Sequence, residues 1–195
     1  MIEPYIRPLF QRVLGNTLAQ LMGKFLSPNM VTALAICVGI SIIPALIYSQ
    51  VLLALFLLSL SGLLDTLDGT IARLYQKSSP YGTALDILGD RIVEFSIILG
   101  LFLMSPETRA LECLMMVGSI FICVTSFLVV GIFAENDSHK GFHYSPGLME
   151  RLEAFLFFAL MILFSDLFSY LAWLFSCLVF LTTILRLAEF KRQVN

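Results

Sequence analysis

Residues 65–90 read DTLDGTIARLYQKSSPYGTALDILGD, and this stretch sets four aspartates beside apolar sequence long enough to cross a bilayer. An unpaired ionised carboxylate within a membrane costs on the order of several kcal/mol. The acids therefore need compensating cations, and metal ions are the first candidates. The four positions are Asp65, Asp68, Asp86 and Asp90.

The spacing of these acids predicts a helical hairpin. On a helix, Asp65 and Asp68 lie on one face, and Asp86 and Asp90 lie on one face of the next helix. Between them, residues 77–80 read KSSP. This segment predicts the reversal, because serine and proline favour turns and a proline cannot continue the preceding helix. If the two faces turn toward each other, the four carboxylates converge.

The composition outside this stretch is that of an integral membrane protein. Of the 195 residues, 58% are hydrophobic and 13% are charged, against about 25% charged in soluble proteins. The mean hydropathy is +0.91. A net charge of −2 argues against a nucleic-acid partner, which would require a basic surface.

The apolar runs predict an all-α membrane protein with six transmembrane helices, each of about 17 to 25 residues. Ser27 is the expected N-cap of the first helix, with Pro28 in its first turn. Residues 1–26 form the first predicted unit, an N-terminal amphipathic helix at the membrane interface; packing on the protein's own cytoplasmic side is the alternative. Residues 27–195 form the membrane domain. The six spans are expected at about residues 30–48, 51–74, 82–104, 111–133, 148–164 and 167–187.

Lysine and arginine positions predict the orientation. With a cytoplasmic amino terminus, six spans put eleven of the 12 basic residues near the cytoplasm and leave only Arg109 on the other side. The acids then face the cytoplasm. We expect a bacterial or archaeal cell membrane, the inner membrane where there are two.

Clustered carboxylates without cysteine or a nearby histidine favour a hard ion, Mg2+ or Mn2+, over zinc. Four carboxylates can bridge two such ions about 3.5 to 4 Å apart, which suits phosphoryl transfer. Gly69 and Ala72 leave space for a ligand beside Asp68, and Gly82 does so on the facing helix. Arg73 adds a forked donor suited to phosphate.

Other classes also place acids in membranes. A buried ion-pair network would use Arg73 and Arg91 to neutralise some acids, but it leaves the small residues unexplained. A proton or cation transporter also uses intramembrane acids. A membrane prenyltransferase binds metal and diphosphate through acids as well, typically in D-x3-D motifs on separate helices.

The motif resembles the signature of the CDP-alcohol phosphatidyltransferases, and the six-span layout and Pro28-Asn29 are similar too. The resemblance implies that the hydroxyl of a small alcohol displaces CMP from a CDP-linked donor, usually CDP-diacylglycerol. The matching positions are Asp65-x2-Asp68-Gly69-x2-Ala72-Arg73-x8-Gly82-x3-Asp86-x3-Asp90.

The resemblance also implies roles for these residues. Asp65, Asp68 and Asp86 would bind one or two divalent ions together with Asp90, and Asp90 would be the general base for the acceptor hydroxyl. The CDP moiety would contact a further set, and the protein would be a homodimer. That set is Asn29, Thr32, Gly69, Arg73 and Gly82.

The acceptor alcohol is expected to bind elsewhere. Lys140, Arg151 and Arg186 could form a cationic pocket for a phosphorylated alcohol such as glycerol 3-phosphate or inositol phosphate. Residues 147–154 are similar to a G-x3-R-P-E-R segment of inositol-phosphate-using members, but Leu152 and Ala154 depart from it. Basic anchors at helix ends and an unphosphorylated acceptor are the alternatives.

Overall fold

The computed structural model describes residues 16–133 and 148–194, and all regular elements in these ranges are helical. The predicted all-α membrane fold is confirmed. The helices are α1 (Asn16–Met22), α2 (Pro28–Ile40), α3 (Ile42–Ile47), α4 (Val51–Leu74), α5 (Pro80–Met104), α6 (Pro106–Phe133), α7 (Arg151–Leu163) and α8 (Phe168–Val194), with a 3-10 turn at Ser165–Leu167.

Within the described ranges, four helical segments are long and apolar enough to cross a membrane. Of the other two expected spans, α5 has 25 residues but is polar in its first half, and α7 has 13. At 1.5 Å per residue, α7 extends roughly 20 Å, less than a hydrocarbon core of about 30 Å. The number six therefore stays a prediction. The four segments are Pro28–Ile47, Val51–Leu74, Pro106–Phe133 and Ser165–Arg192.

The first span begins as expected but is interrupted. Ser27 is the N-cap, its side chain accepting a hydrogen bond from the Met30 N–H, and Pro28 opens the helix. The single helix expected over 30–48 is instead divided at Ser41 into α2 and α3. Pro44 accounts for the break, because it has no N–H to donate to the carbonyl one turn earlier.

The connection between α4 and α5 is the predicted reversal. Gln76 adopts the left-handed conformation at φ 51°, and the Lys77 N–H donates to the Ala72 carbonyl at 2.9 Å. This is a Schellman-type helix end. Ser79 then caps α5, with its side chain accepting a backbone N–H of the first turn. The turn is therefore held by hydrogen bonds at both helix ends.

The described residues form two compact units, the first of residues 16–108 and the second of residues 109–133 and 148–194. In the first unit, α2 packs against both α4 and α5, whereas α4 and α5 barely contact each other. The Ser61 hydroxyl of α4 donates to the Ala35 carbonyl of α2 at 2.9 Å. On the α5 side, Gly39 lies directly against Val93. The helix α2 thus joins the two acid-bearing helices.

The helix α1 packs on α4 in the same unit. Ala19 is fully buried there in a cluster with Val31, Leu67 and Ile71. The rest of the predicted interfacial helix, residues 1–15, lies outside the described residues.

In the second unit, α7 and α8 pack through aromatic rings, with Phe158 and Phe175 centroids 5.5 Å apart. The Arg109 side chain is buried over the Phe168 ring and donates to the Ser165 hydroxyl. Buried cations usually need such partners. Arg109 therefore ties the start of α6 to the start of α8.

Candidate active site

Three of the four predicted acids converge. One carboxylate oxygen each from Asp65, Asp68 and Asp86 lies within 4.8 Å of the other two. Oxygen atoms of carboxylates are the ligands that Mg2+ and Mn2+ prefer. The triad could therefore hold a hard divalent ion. Asp68 is buried, and the other two carboxylates are half-buried.

The positions of α4 and α5 explain this convergence. Both helices pack on α2 rather than on each other, which leaves space between their polar faces. Asp65 and Asp68 project from α4, and Asp86 projects from α5. As expected, the acid-bearing faces of α4 and α5 turn toward each other. The two helices are joined through α2, in the first span, on which both pack.

Thr32 contacts the acid directly. Its hydroxyl oxygen lies 2.5 Å from Asp68 Oδ2 and 3.1 Å from the Pro28 carbonyl. A hydroxyl has one proton, so donation to the carboxylate is the charge-assisted and stronger choice. The family resemblance implies that Thr32 contacts the nucleotide; the structure places Thr32 against the Asp68 carboxylate, on the wall of the cavity.

An open cavity of about 190 Å³ lies beside the triad in the first unit. All five residues predicted for the CDP moiety line it, together with two of the acids. The lining residues are Pro28, Asn29, Thr32, Asp68, Gly69, Ala72, Arg73, Lys77, Ser78, Ser79, Gly82, Thr83 and Asp86.

Sequence reasoning missed four of these lining residues, Lys77, Ser78, Ser79 and Thr83. We interpreted residues 77–80 only as a turn. Their position in the sequence could have identified them. A short loop that connects the two signature helices lies next to the ligand that both helices bind.

The two signature glycines have different surroundings. A Cβ at Gly82 would lie 3.1 Å from both Asn29 Oδ1 and Ser79 Oγ, so a side chain there would push into the cavity wall. At Gly69 the nearest atom is Arg73 Nη1, at 3.5 Å. Of these two glycines, only Gly82 has neighbours that an added Cβ would press against.

Asp90 lies one turn beyond Asp86 on α5, and the structure does not include it in the triad or the cavity lining. Its carboxylate is 18% exposed and lies 3.9 Å from Arg91 Nη2. The same guanidinium is closer to Glu94, at 2.7 Å. Glu94 is buried, and the Arg91 guanidinium contacts both carboxylates, with the shorter contact to Glu94.

Two of the three residues predicted for the acceptor fall in the described part of the second unit. Arg151 begins α7, with its guanidinium 5.4 Å from the Phe155 ring centroid. Arg186 donates to the Cys123 carbonyl at 2.9 Å and to the Ser126 hydroxyl at 3.2 Å. Lys140 lies outside the described residues.

Two curated proteins are similar to the chain over most of its length. It is 29% identical to the inner membrane protein YnjF of Escherichia coli over 193 residues, covering 95% of this chain and 93% of that protein. It is 28% identical to the phosphatidylinositol phosphate synthase of Corynebacterium glutamicum over 152 residues, which is 73% of this chain and 65% of the relative.

Solved structures share the fold. The phosphatidylinositol phosphate synthase of Mycobacterium tuberculosis with CDP-DAG bound superposes with a TM-score of 0.76 at 19% identity, over 91% of this chain and 93% of that one. A second structure of the same enzyme, with manganese and citrate, gives a TM-score of 0.75 at 18% identity, over 91% of this chain and 88% of that one.

The family model of the CDP-alcohol phosphatidyltransferases matches residues 25–188. This range includes the carboxylate triad and the complete described lining of the cavity. This integral membrane protein therefore belongs to the CDP-alcohol phosphatidyltransferase family.

Proposed function

We propose that the protein transfers the phosphatidyl group of CDP-diacylglycerol to the hydroxyl of a small phosphorylated alcohol and releases CMP. One observation carries the proposal: acids able to hold a divalent ion and cations able to hold phosphate line a single cavity. The bound CDP-DAG of the M. tuberculosis structure supports the choice of donor.

In the proposed reaction, the acceptor oxygen forms a bond to the phosphorus that carries diacylglycerol. The bond from that phosphorus to the oxygen of CMP breaks, and CMP leaves with the electron pair. Asp90 takes the proton of the acceptor hydroxyl. Next to Asp90, the Arg91 guanidinium lies closer to Glu94, at 2.7 Å, than to the Asp90 carboxylate, at 3.9 Å.

One or two Mg2+ or Mn2+ ions would be held by four aspartates, the triad of Asp65, Asp68 and Asp86 together with Asp90. Such ions, when bound, supply positive charge at the diphosphate oxygens. The manganese in the second M. tuberculosis structure supports this assignment. Thr32 positions Asp68 through the hydroxyl contact at 2.5 Å.

Within the cavity, Asn29, Gly69, Arg73 and Gly82 would surround the CDP moiety. Arg73 is the forked donor for the diphosphate. Gly82 leaves the Asn29 amide room to reach the nucleotide, since the two are already close.

Lys140, Arg151 and Arg186 would bind the phosphate of the acceptor. The name of the C. glutamicum relative favours an inositol phosphate. Arg186 is already held by Cys123 and Ser126, so its charge is preorganised. We further propose a homodimer with its active sites facing the cytoplasm.

The test is CMP release from CDP-diacylglycerol by purified protein with Mg2+ or Mn2+. The acceptors to compare are inositol phosphate, glycerol 3-phosphate, inositol, serine and choline. We expect release only with a phosphorylated acceptor, and loss of release in Asp90→Asn. Asp166→Asn is the matched control, because this acid is exposed in the second unit and should keep full activity.

Two results would contradict the proposal. CMP release that survives Asp90→Asn would remove the assigned base. Release with choline or serine but not with a phosphorylated alcohol would assign the unphosphorylated class of acceptor.

A further inference from the structure

We propose that Lys77 is a second cationic contact for the diphosphate of the CDP group, and that Tyr75 positions its ammonium group. This inference rests on the proposed function, since it requires a CDP-linked donor in the cavity. Lys77 lies in the eight-residue gap between Arg73 and Gly82, outside the fixed positions of the signature.

The charges of the cavity lining carry the first step. Lys77 and Arg73 are the two basic side chains among its described residues, and Asp68 and Asp86 are the acids. If the acids hold metal ions, the diphosphate still presents oxygens to the remaining wall. A lysine offers a compact charge with three donors. No carboxylate in residues 16–133 or 148–194 forms an ion pair with Lys77, so its charge is available to a ligand.

The backbone of Lys77 is fixed. Its N–H donates to the Ala72 carbonyl at 2.9 Å, while Gln76 reverses the chain at φ 51°. These bonds close the end of α4. The side chain therefore starts from a defined point beside the cavity, although it is exposed.

Tyr75 supplies a surface for the side chain. The Lys77 Nζ lies 5.6 Å from the ring centroid, within range of a cation–π interaction. This contact uses the face of the ring and leaves the ammonium protons free to point toward an anion.

The ring itself is held by α1 and the residue that follows it. The Tyr75 hydroxyl donates to the Gln20 carbonyl at 3.2 Å. A Cβ added at Gly23 would clash with the Tyr75 ring, so the ring occupies space that any larger residue would take. Gln20 and Gly23 thus fix the ring against which the Lys77 ammonium lies.

The test measures binding rather than turnover. Full-length protein in detergent with Mg2+ is titrated with CDP and, separately, with cytidine. We expect Lys77→Gln to weaken CDP binding roughly 10-fold, the effect of one charge-assisted hydrogen bond. Cytidine binding should not change, because cytidine carries no phosphate. Lys77→Arg should stay within about threefold of wild type for CDP. Lys191→Gln, an exposed lysine of α8, controls for the loss of one charge.

Tyr75 is tested by the same titration. Tyr75→Phe keeps the ring and should bind CDP like wild type, whereas Tyr75→Leu removes the ring and should weaken CDP binding about threefold. In the double variant with Lys77→Gln, the Tyr75→Leu effect should disappear. A structural role for Tyr75 would instead weaken CDP and cytidine alike.

The outcomes separate this inference from the proposed function. If wild type binds CDP and Lys77→Gln binds it equally well, Lys77 is not a contact and the inference is overturned alone. If wild type binds no CDP at all, the proposed function and the inference are overturned together. A Lys77→Gln variant that loses cytidine as strongly as CDP also overturns the inference.

Discussion

Gly82 lines the cavity at a point where there is little space for a side chain. Glycine within a helix costs about 0.5 to 1 kcal/mol relative to alanine, yet a Cβ here would meet Asn29 and Ser79 at 3.1 Å. Glycine is unfavourable for the helix at this position, but it avoids a contact with the two side chains of the cavity wall.

We therefore expect Gly82→Ala to lower activity on the order of 10- to 100-fold, the effect of displacing positioning groups by a fraction of an ångström to 1 Å. The midpoint of thermal unfolding should stay the same or rise, because alanine favours the helix. Steady-state CMP release and thermal unfolding in detergent measure the two effects.

Gly118→Ala is the matched control, since an added Cβ at Gly118 meets nothing within 4 Å. It should leave activity unchanged. Equal losses of activity in the two variants would show that the cavity wall at Gly82 is not the cause.

For single residues, the sequence predicts which side chains could bind a metal ion better than it predicts which side chains contact each other. Asp65, Asp68 and Asp86 could be predicted because carboxylates in apolar sequence must be compensated and their spacing is helical. The contact of Thr32 with Asp68 spans 36 positions and depends on how α2 packs on α4. Lys77 was missed because the KSSP segment is fully explained as a turn, and its place in the cavity lining depends on how the helices pack.

The helices α2 and α5 cross at small residues. A Cβ on Gly39 would lie 2.5 Å from Val93 Cγ2, closer than packed carbon atoms allow. Small residues let helices approach closely in membranes. The position of Asp86 and Asp90 relative to α2 therefore depends on this crossing.

We expect Gly39→Ala to lower the free energy of unfolding by about 1 to 3 kcal/mol through overpacking. Val93→Ala introduced into the Gly39→Ala background should restore part of that loss, because it removes the clashing methyl groups. Chemical unfolding of the two single variants and the double variant in detergent gives the coupling energy. Strictly additive effects would show that the two side chains do not determine the crossing.

The helices themselves could be predicted more fully than their pairing. The reversal at residues 77–80 and the Ser27 cap were expected and are present. The break at Ser41 was missed because an apolar run hides the effect of Pro44. The packing of α4 and α5 on α2 was missed for a related reason: where every face is apolar, hydrophobic periodicity does not distinguish the face that packs from the face that meets lipid.

At the scale of the whole molecule, the positions of the basic residues predict that the site faces the cytoplasm. The turn between α4 and α5 exposes Ser78, and the opposite end of α5 leads to exposed Glu107. A helix of 25 residues extends roughly 37 Å, so these two ends should lie on different sides of a bilayer.

In a variant without the native cysteines, we expect Ser78→Cys to react with a membrane-impermeant maleimide in inside-out vesicles and not in intact cells, because the positive residues place this end in the cytoplasm. Glu107→Cys should show the reverse. The opposite labelling pattern would place the active site outside the cell.

The cavity is built from the first part of the chain. All its described lining residues lie from Pro28 to Asp86, so they leave the ribosome before any residue of the second unit. At about 5 to 20 residues per second, α6 to α8 follow over roughly the next 5 to 20 s. During this interval the acids have partners only from the first unit, such as Thr32 for Asp68. The cavity lies entirely in α2 and the hairpin of α4 and α5. Its residues can therefore come together before the second unit has been synthesised.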